Sequence, residues 1–194
     1  SGRMERFDET FVRDSKEAHR YLYEDFTMKV TSTAIVNGVI QDKYGMRGPS
    51  NKYDIPNCSV PVRIEDAPVG TVSYAIVMED KDDFPWNGGF SWIHWTAANI
   101  TKTELAENES LHADFVQGVT SWISDAGGNV PREACSMYGG PQPMGGNHTY
   151  EFHVYALDSL LDLENGFDYN VLYHKMDGHI LNQYTMKGTY DSGK

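Results

Sequence analysis

Residues 138–152 read YGGPQPMGGNHTYEF, and this stretch joins a loop rich in glycine and proline to a strand. Alternation along the strand places His148, Tyr150 and Phe152 on one face. Glycines let a backbone come close to a ligand and turn its amides outward, and prolines hold a loop in one shape. The stretch therefore predicts a small anion-binding pocket where the loop meets the strand.

Strand patterns dominate the rest of the sequence. Val72–Met78 is apolar on both faces, which is typical of a central strand in a packed sheet, and Asn37-Gly38 is a strong turn signal. These patterns predict a mainly β protein, a two-sheet antiparallel β-sandwich with a few short peripheral helices. The other predicted strands are 26–33, Val60–Ile64, Ser91–Ile100, Tyr150–Leu157 and 180–190; loops are predicted at 79–90 and 124–147, and helical segments at 14–23 and 170–177.

The length of 194 residues indicates one ordinary domain. We predict that it spans 27–194 and follows an N-terminal extension over 1–26, in which Ser1–Arg3 looks like an expression remnant. The net charge of -12 disfavours nucleic acid and anionic lipid surfaces as partners. No apolar run approaches membrane-spanning length, and no signal peptide is visible. A cytoplasmic location is expected, and a removed leader would make it periplasmic or secreted.

Polar groups stand beside aromatic ones in three segments. Asp80 follows the Val72–Met78 strand, Trp92 and His94 alternate on the next one, and His148 follows the loop. We expect these segments to meet at one end of the sandwich, where Asp80 would favour protonation of both imidazoles. Loop amides at Gly140 and Pro141, the two histidines and the Tyr150 hydroxyl would then bind an anion.

An apolar wall is expected beside that anion site. Phe90 shares the predicted strand face of Trp92 and His94, and Pro141 lies in the loop. These apolar side chains would hold the remainder of a small ligand.

The three segments, in this order, resemble the phosphatidylethanolamine-binding and Raf kinase inhibitor-like protein family. Glu79–Pro85 is similar to its Asp-Pro-Asp-Ala-Pro segment, Ile93-His94-Trp95 to its tryptophan/histidine strand, and Tyr138–Phe152 to its Tyr-x-Gly-x-x-Pro…Gly…His-x-Tyr-x-Phe segment. The similarity runs from about Thr27 to Tyr190. Lys187–Tyr190 looks most like the bacterial and archaeal branch.

The resemblance implies a two-sheet sandwich with a small pocket for phosphate-like head groups. It also implies a small phosphorylated or carboxylate ligand, a kinase or protease as a candidate regulated partner, and a homodimer. It implies neither a cofactor nor a bound metal, and a binding protein rather than an enzyme. Carried over by position, the ligand-binding residues are Asp80, Trp92, His94, Gly140, Pro141, His148 and Tyr150.

Departures from the family pattern surround this predicted pocket. Lys81 stands where the family has proline, Asp83 where it has alanine, and Thr149 where arginine is frequent. Lys81 would loosen the loop or add a cation at the mouth. Asp83 would oppose an anion, and Thr149 removes a positive contact.

Two enzymatic alternatives stay open. His94, His148 and Asp80 are residue types that bind zinc or iron, which would suit a metal-dependent enzyme. Cys135 beside His148 would suit a thiol hydrolase. The sequence has neither a His-Glu-x-x-His nor a Gly-x-Ser-x-Gly motif, so we favour the binding protein.

Overall fold

The structure, a computed structural model, describes residues 27–193. The predicted extension over 1–26 and its helix at 14–23 lie outside the described residues. In the described part the strands are β1 (Lys29–Thr31), β2 (Ile35–Val36), β3 (Val39–Ile40), β4 (Val62–Glu65), β5 (Ser73–Asp80), β6 (Trp92–Ile100), β7 (Glu104–Leu105), β8 (Val116–Gln117), β9 (Asn147–Leu157) and β10 (Ile180–Asp191). The α-helices are α1 (Phe84–Asn87), α2 (Arg132–Cys135) and α3 (Tyr169–Met176), and 3-10 turns lie at Asp42–Tyr44, Lys81–Asp83, Glu109–His112 and Ser121–Ile123.

Two sheets form the predicted mainly β architecture. The larger sheet has seven strands in the order β2-β3-β10-β9-β5-β6-β8, and the smaller has three in the order β1-β4-β7. Neighbouring strands in the described chain are antiparallel except β3 and β10, which pair in parallel at Val39 and Thr189. The sandwich expectation is confirmed, and the parallel pair is a local departure from it.

The seven-stranded sheet is covered on both faces. On one face, buried side chains of the small sheet, including Val30 and Ile64, join Ile76 and Phe152 in the main core. On the other face, Leu172 and Met176 of α3 pack on β5 side chains. Double coverage explains why β5 is apolar on both faces, because each face meets another layer rather than water.

Local signals place one turn and one helix correctly. Asn37 and Gly38 join β2 to β3 with φ angles of 50° and 77°, the left-handed conformation that this hairpin turn requires. The predicted helical segment at 170–177 forms as α3.

Every helix among the described residues is too short or too polar to serve as a membrane span.

The loop predicted at 79–90 is the main local correction. Glu79 and Asp80 complete β5, and the chain then forms a 3-10 turn and α1. Pro85 lies in the first turn of α1, where a missing N–H costs nothing. The loop predicted at 124–147 contains α2, and β9 begins at Asn147, before the expected Tyr150.

Candidate ligand-binding pocket

Strand register brings the predicted site residues to one end of the large sheet. Asp80, the last residue of β5, pairs with Trp92 of β6 on one side and with Tyr150 of β9 on the other. His148 and Tyr150 alternate inward along β9, as the sequence pattern predicted. Three strands therefore deliver their polar groups to a single place.

A cavity of about 220 Å³ opens at this end of the sheet. Its polar lining includes Asp80, His94 and Tyr150, and indole rings form much of its wall. Trp122 meets Trp92 edge-on, with ring centroids 5.6 Å apart, so the wall is itself packed. The full lining is Asp80, Asp83, Trp86, Asn87, Trp92, His94, Trp122, Ala126, Gln142, Met144 and Tyr150.

A buried ion pair underlies the cavity. His148 Nδ1 donates to Asp80 Oδ2 at 2.7 Å, and His148 Nε2 donates to the carbonyl oxygen of Gly145 at 2.9 Å. Both partners accept only, so the ring must carry both protons. Burial lowers the pKa of His148, but the hydrogen bond and charge of Asp80 outweigh it, and the net pKa is raised. His148 is therefore the cationic histidine of the site.

His94 corrects the expectation of two cationic imidazoles. Its Nδ1 donates to the carbonyl oxygen of Gly139 at 2.7 Å, and its ring meets Tyr150 edge-on at 5.1 Å. Burial lowers the pKa of His94 to about 4 despite the nearby charge of Asp80. At neutral pH the ring is uncharged, and Nε2 remains an acceptor.

This lowered pKa predicts an acid-sensitive contribution to stability. The unfolded state takes up a proton near pH 6.5 and the folded state only near pH 4, so stability falls as the pH drops through this window. One pKa unit is worth about 1.4 kcal/mol, so wild type should lose about 3 kcal/mol more than His94→Gln between pH 7 and pH 3.5. Urea denaturation across this range measures the difference, and parallel curves for the two proteins would contradict it.

Three buried polar atoms at this site lack a hydrogen-bond partner. They are Asp80 Oδ1, Trp92 Nε1 and the Tyr150 hydroxyl, and all three residues line the cavity. Burial, followed by the charge of Asp80 and the approach of the hydroxyl to that carboxylate, raises the pKa of Tyr150, so its O–H stays protonated. The two groups do not meet hydrogen-bond geometry, so the O–H can donate to a ligand. Buried polar groups are nearly always paired, and three unpaired ones around one cavity indicate a place for a ligand.

The loop amides do not serve as predicted. The Gly139 N–H donates to the carbonyl oxygen of His94, and the Gly140 N–H donates to the carbonyl oxygen of Pro56 at 2.7 Å. Pro141 has no N–H, and it is buried rather than part of the cavity wall. Gly140 and Pro141 therefore shape the loop and present no donor to the cavity, because their backbone groups are consumed within the fold.

Phe90 also departs from its predicted place. It precedes β6, has 71% of its surface exposed, and lines a neighbouring cleft rather than the cavity. Trp86 and Trp122, which the sequence reasoning missed, complete the wall instead. The Trp86 ring packs against Gly145, where a Cβ would lie 2.8 Å from it. Tryptophans within loops rich in glycine were the available signal.

The structure shows what surrounds the three residues that depart from the family pattern. Lys81 Nζ binds Glu151 at 2.8 Å on the sheet surface, so it supplies no cation to the cavity. The Thr149 N–H donates to Asp82. Asp83 lines the cavity, and Asn87 Nδ2 donates to its Oδ2 at 3.0 Å. Burial and the charge of Asp80 raise the pKa of Asp83.

The residues named for the enzymatic alternatives are arranged differently from expectation. Cys135 is buried beside Val130 and Trp122, and it does not line the cavity. Burial raises the pKa of the Cys135 thiol, which opposes formation of a nucleophilic thiolate. Among the described residues at this site, Asp80, Asp83 and His148 have potential metal-ligand atoms within 4.8 Å of one another. His94 does not belong to this group.

Comparison with known proteins gives consistent matches. A family model for phosphatidylethanolamine-binding protein matches residues 30–191. The uncharacterised protein YxkA of Bacillus subtilis is 39% identical over 152 residues, which cover 75% of this chain and 89% of that protein. A UPF0098 protein of Chlamydia pneumoniae is 31% identical over 170 residues, covering 84% of this chain and 99% of that protein.

Solved structures agree with these matches. A phosphatidylethanolamine-binding protein homolog of Chlamydia trachomatis superposes with a TM-score of 0.70 at 29% identity, covering 86% of this chain and 98% of that one. Escherichia coli YbcL superposes with a TM-score of 0.65 at 21% identity, covering 84% of this chain and 98% of that one. The second likeness concerns the fold alone.

Proposed function

The chain belongs to the phosphatidylethanolamine-binding protein family, and on that premise we propose that its cavity binds a small ligand through an acidic oxygen head group. Phosphate monoesters and carboxylates are the ligand classes with that chemistry. The observation that carries the proposal is the pair of unpaired donors, the Tyr150 O–H and the Trp92 Nε1–H, at one cavity. Each would gain a charge-assisted hydrogen bond on binding.

The surrounding groups have supporting roles. His148 holds Asp80 in place through the 2.7 Å ion pair and donates its other proton to Gly145, so it positions Asp80 rather than binding the ligand itself. Indole faces of Trp92 and Trp122 would cover the apolar part of the ligand.

Binding is a better account of this site than catalysis. Among the described residues of the cavity wall, none is a cysteine or a serine, and Cys135 lies outside it. A protonated His148 cannot act as a base, and its two hydrogen bonds keep it in one orientation. Regulation of a kinase or protease partner, and a homodimer, stay predictions.

Tyr150→Phe tests the proposal directly. We expect the affinity for inorganic phosphate and phosphoethanolamine to fall by about 1.5–3 kcal/mol, the usual value of a hydrogen bond to a charged group. The free energy of unfolding should be unchanged or slightly higher, because the hydroxyl removed has no partner in the fold. Calorimetric titration and urea denaturation measure the two effects.

Tyr155→Phe is the matched control for this experiment. The Tyr155 hydroxyl bonds to Tyr173 at 3.1 Å, away from the cavity, so its loss should leave affinity unchanged. Trp92→Phe removes the second donor and should also weaken binding. Equal affinity in wild type, Tyr150→Phe and Trp92→Phe would refute the proposal, as would no binding by wild type.

A further inference from the structure

The cavity has an unusual charge balance for an acidic ligand. Asp80 and Asp83 both line it, and its described lining includes neither lysine nor arginine. The cationic His148 lies beneath Asp80, and both of its N–H groups are already engaged. The chain as a whole carries a net charge of -12. An anion entering alone would meet two carboxylates in a partly water-excluded place, where like charges repel strongly.

The carboxylates of Asp80 and Asp83 lie close together, and each is oriented by a hydrogen bond from another side chain. Oxygens of Asp80 and Asp83 lie within 4.8 Å of each other. One oxygen of each carboxylate accepts a hydrogen bond from a neighbouring side chain. His148 donates to Asp80 Oδ2, and Asn87 donates to Asp83 Oδ2. Such hydrogen bonds orient carboxylates that bind metal ions.

An independent observation marks the space between them. Asp80 is only 2% exposed, yet its Oδ1 has no hydrogen-bond partner and its side chain lines the cavity. A buried, unpaired carboxylate oxygen is costly unless something positive meets it. In the proposed complex the Tyr150 O–H and the Trp92 Nε1–H donate to the ligand, so Asp80 Oδ1 would remain open to a cation.

We propose that Asp80 and Asp83 bind a divalent cation of the Mg²⁺ class, which bridges them to the acidic oxygens of the ligand. The proposal rests on the proposed function for the ligand. Oxygen-only ligation favours Mg²⁺ or its analogue Mn²⁺, since the ring nitrogen of His148 nearest Asp80 is protonated and cannot ligate. Mg²⁺ is commonly held by one or two carboxylates together with phosphate oxygens.

Coupling between cation and ligand follows from this arrangement. Two protein carboxylates alone leave most of the coordination of Mg²⁺ to water, so the cation should bind weakly without the ligand. The ligand should tighten cation binding by the same factor as the cation tightens ligand binding, since such coupling is reciprocal.

The experiment is a calorimetric titration of phosphoethanolamine into wild type, Asp83→Asn and Asp82→Asn, each with MgCl₂ and with EDTA. In wild type, Mg²⁺ should lower the Kd by about tenfold, within the usual range for coupled sites. Asp83→Asn should lose this dependence while still binding phosphoethanolamine in EDTA. Asp82→Asn removes the same charge one residue away, outside the cavity, and should behave as wild type.

Electron paramagnetic resonance of Mn²⁺ gives a second readout that does not depend on the heat of ligand binding. Phosphoethanolamine should increase the bound Mn²⁺ fraction in wild type and not in Asp83→Asn, with thermal melting confirming that the variant is folded. Equal ligand affinity in MgCl₂ and EDTA would overturn the cation proposal and leave the proposed function standing. The cation proposal would also be overturned, and the proposed function kept, if ligand affinity rose at acidic pH and did not depend on Mg²⁺. In that case a proton takes the place of the cation. No ligand binding in either solution would overturn both.

Discussion

His148→Ala is expected to lower the free energy of unfolding by about 3–5 kcal/mol, the usual cost of breaking a buried ion pair. The variant would leave Asp80, which is 2% exposed, as a buried carboxylate without its 2.7 Å partner. Urea denaturation at neutral pH measures the loss.

His179→Ala is the matched control for this prediction. His179 Nδ1 also bonds to an aspartate at 2.8 Å, but the side chains of His179 and Asp158 are each 45% exposed. An exposed pair of the same geometry is worth about 0–1 kcal/mol. Adding Asp80→Asn to His148→Ala should recover part of the loss, because it removes the buried charge. Equal destabilisation by His148→Ala and His179→Ala would contradict the assignment.

Ligand binding should weaken in His148→Ala as well, because the negative charge of Asp80 at the cavity then loses its positive partner and repels an acidic ligand more strongly. The histidine makes no contact that faces the cavity, since its two N–H groups are taken by Asp80 and Gly145. A variant that loses only a direct ligand contact should behave differently from His148→Ala. Tyr150→Phe should weaken ligand binding without destabilising the fold. Comparing stability and affinity in the two variants therefore separates a positioning residue from a ligand-binding one.

Gly140→Ala is expected to destabilise the protein by about 3 kcal/mol, at the upper end for overpacking of a core. A Cβ on Gly140 would lie 2.0 Å from the carbonyl oxygen of Tyr44. That carbonyl belongs to the backbone and accepts a hydrogen bond from the buried Tyr138 hydroxyl at 2.8 Å, so it cannot move aside cheaply. Thermal or urea unfolding measures the effect.

Gly146→Ala separates steric crowding from backbone strain in the same loop. Gly146 has a φ of 76° and no atom within 4 Å of its would-be Cβ, so alanine there adds only conformational strain. The left-handed conformation costs a non-glycine residue about 1–2 kcal/mol. If Gly140→Ala proves no worse than Gly146→Ala, close packing is not the reason for the glycine at 140.

The architecture and the convergence of the site were predictable from sequence. Apolar patterns identified these strands, on both faces for β5 and β6 and alternating for β9 and β10, because a strand that faces a core on one or both sides shows it in its sequence. The sequence also predicted that Asp80, His94 and His148 meet at one end of the sheet, because each lies near the end of a strand. The resemblance to the family pointed to the same site.

The protonation states and the loop's role were not predictable. Whether a histidine near Asp80 is charged depends on its depth and hydrogen bonds, and these differ between His94 and His148 although both are buried. Whether Gly140 offers its amide to a ligand depends on a distant residue, Pro56, which accepts it instead. Such contacts are long-range, and a local pattern does not contain them.

The position of β9 between β5 and β10 sets the order in which this protein can fold. Ser73 pairs with Leu157 and Asp80 with Tyr150, so the centre of the large sheet joins segments far apart in the chain. Pairings of such long range form slowly, because the intervening chain must first be closed into a loop. During synthesis, β5 and β6 can pair as neighbours, but one edge of β5 stays open until β9 leaves the ribosome. The ligand cavity is therefore assembled only after β9 has been made, because Asp80 and Tyr150 meet across that pairing.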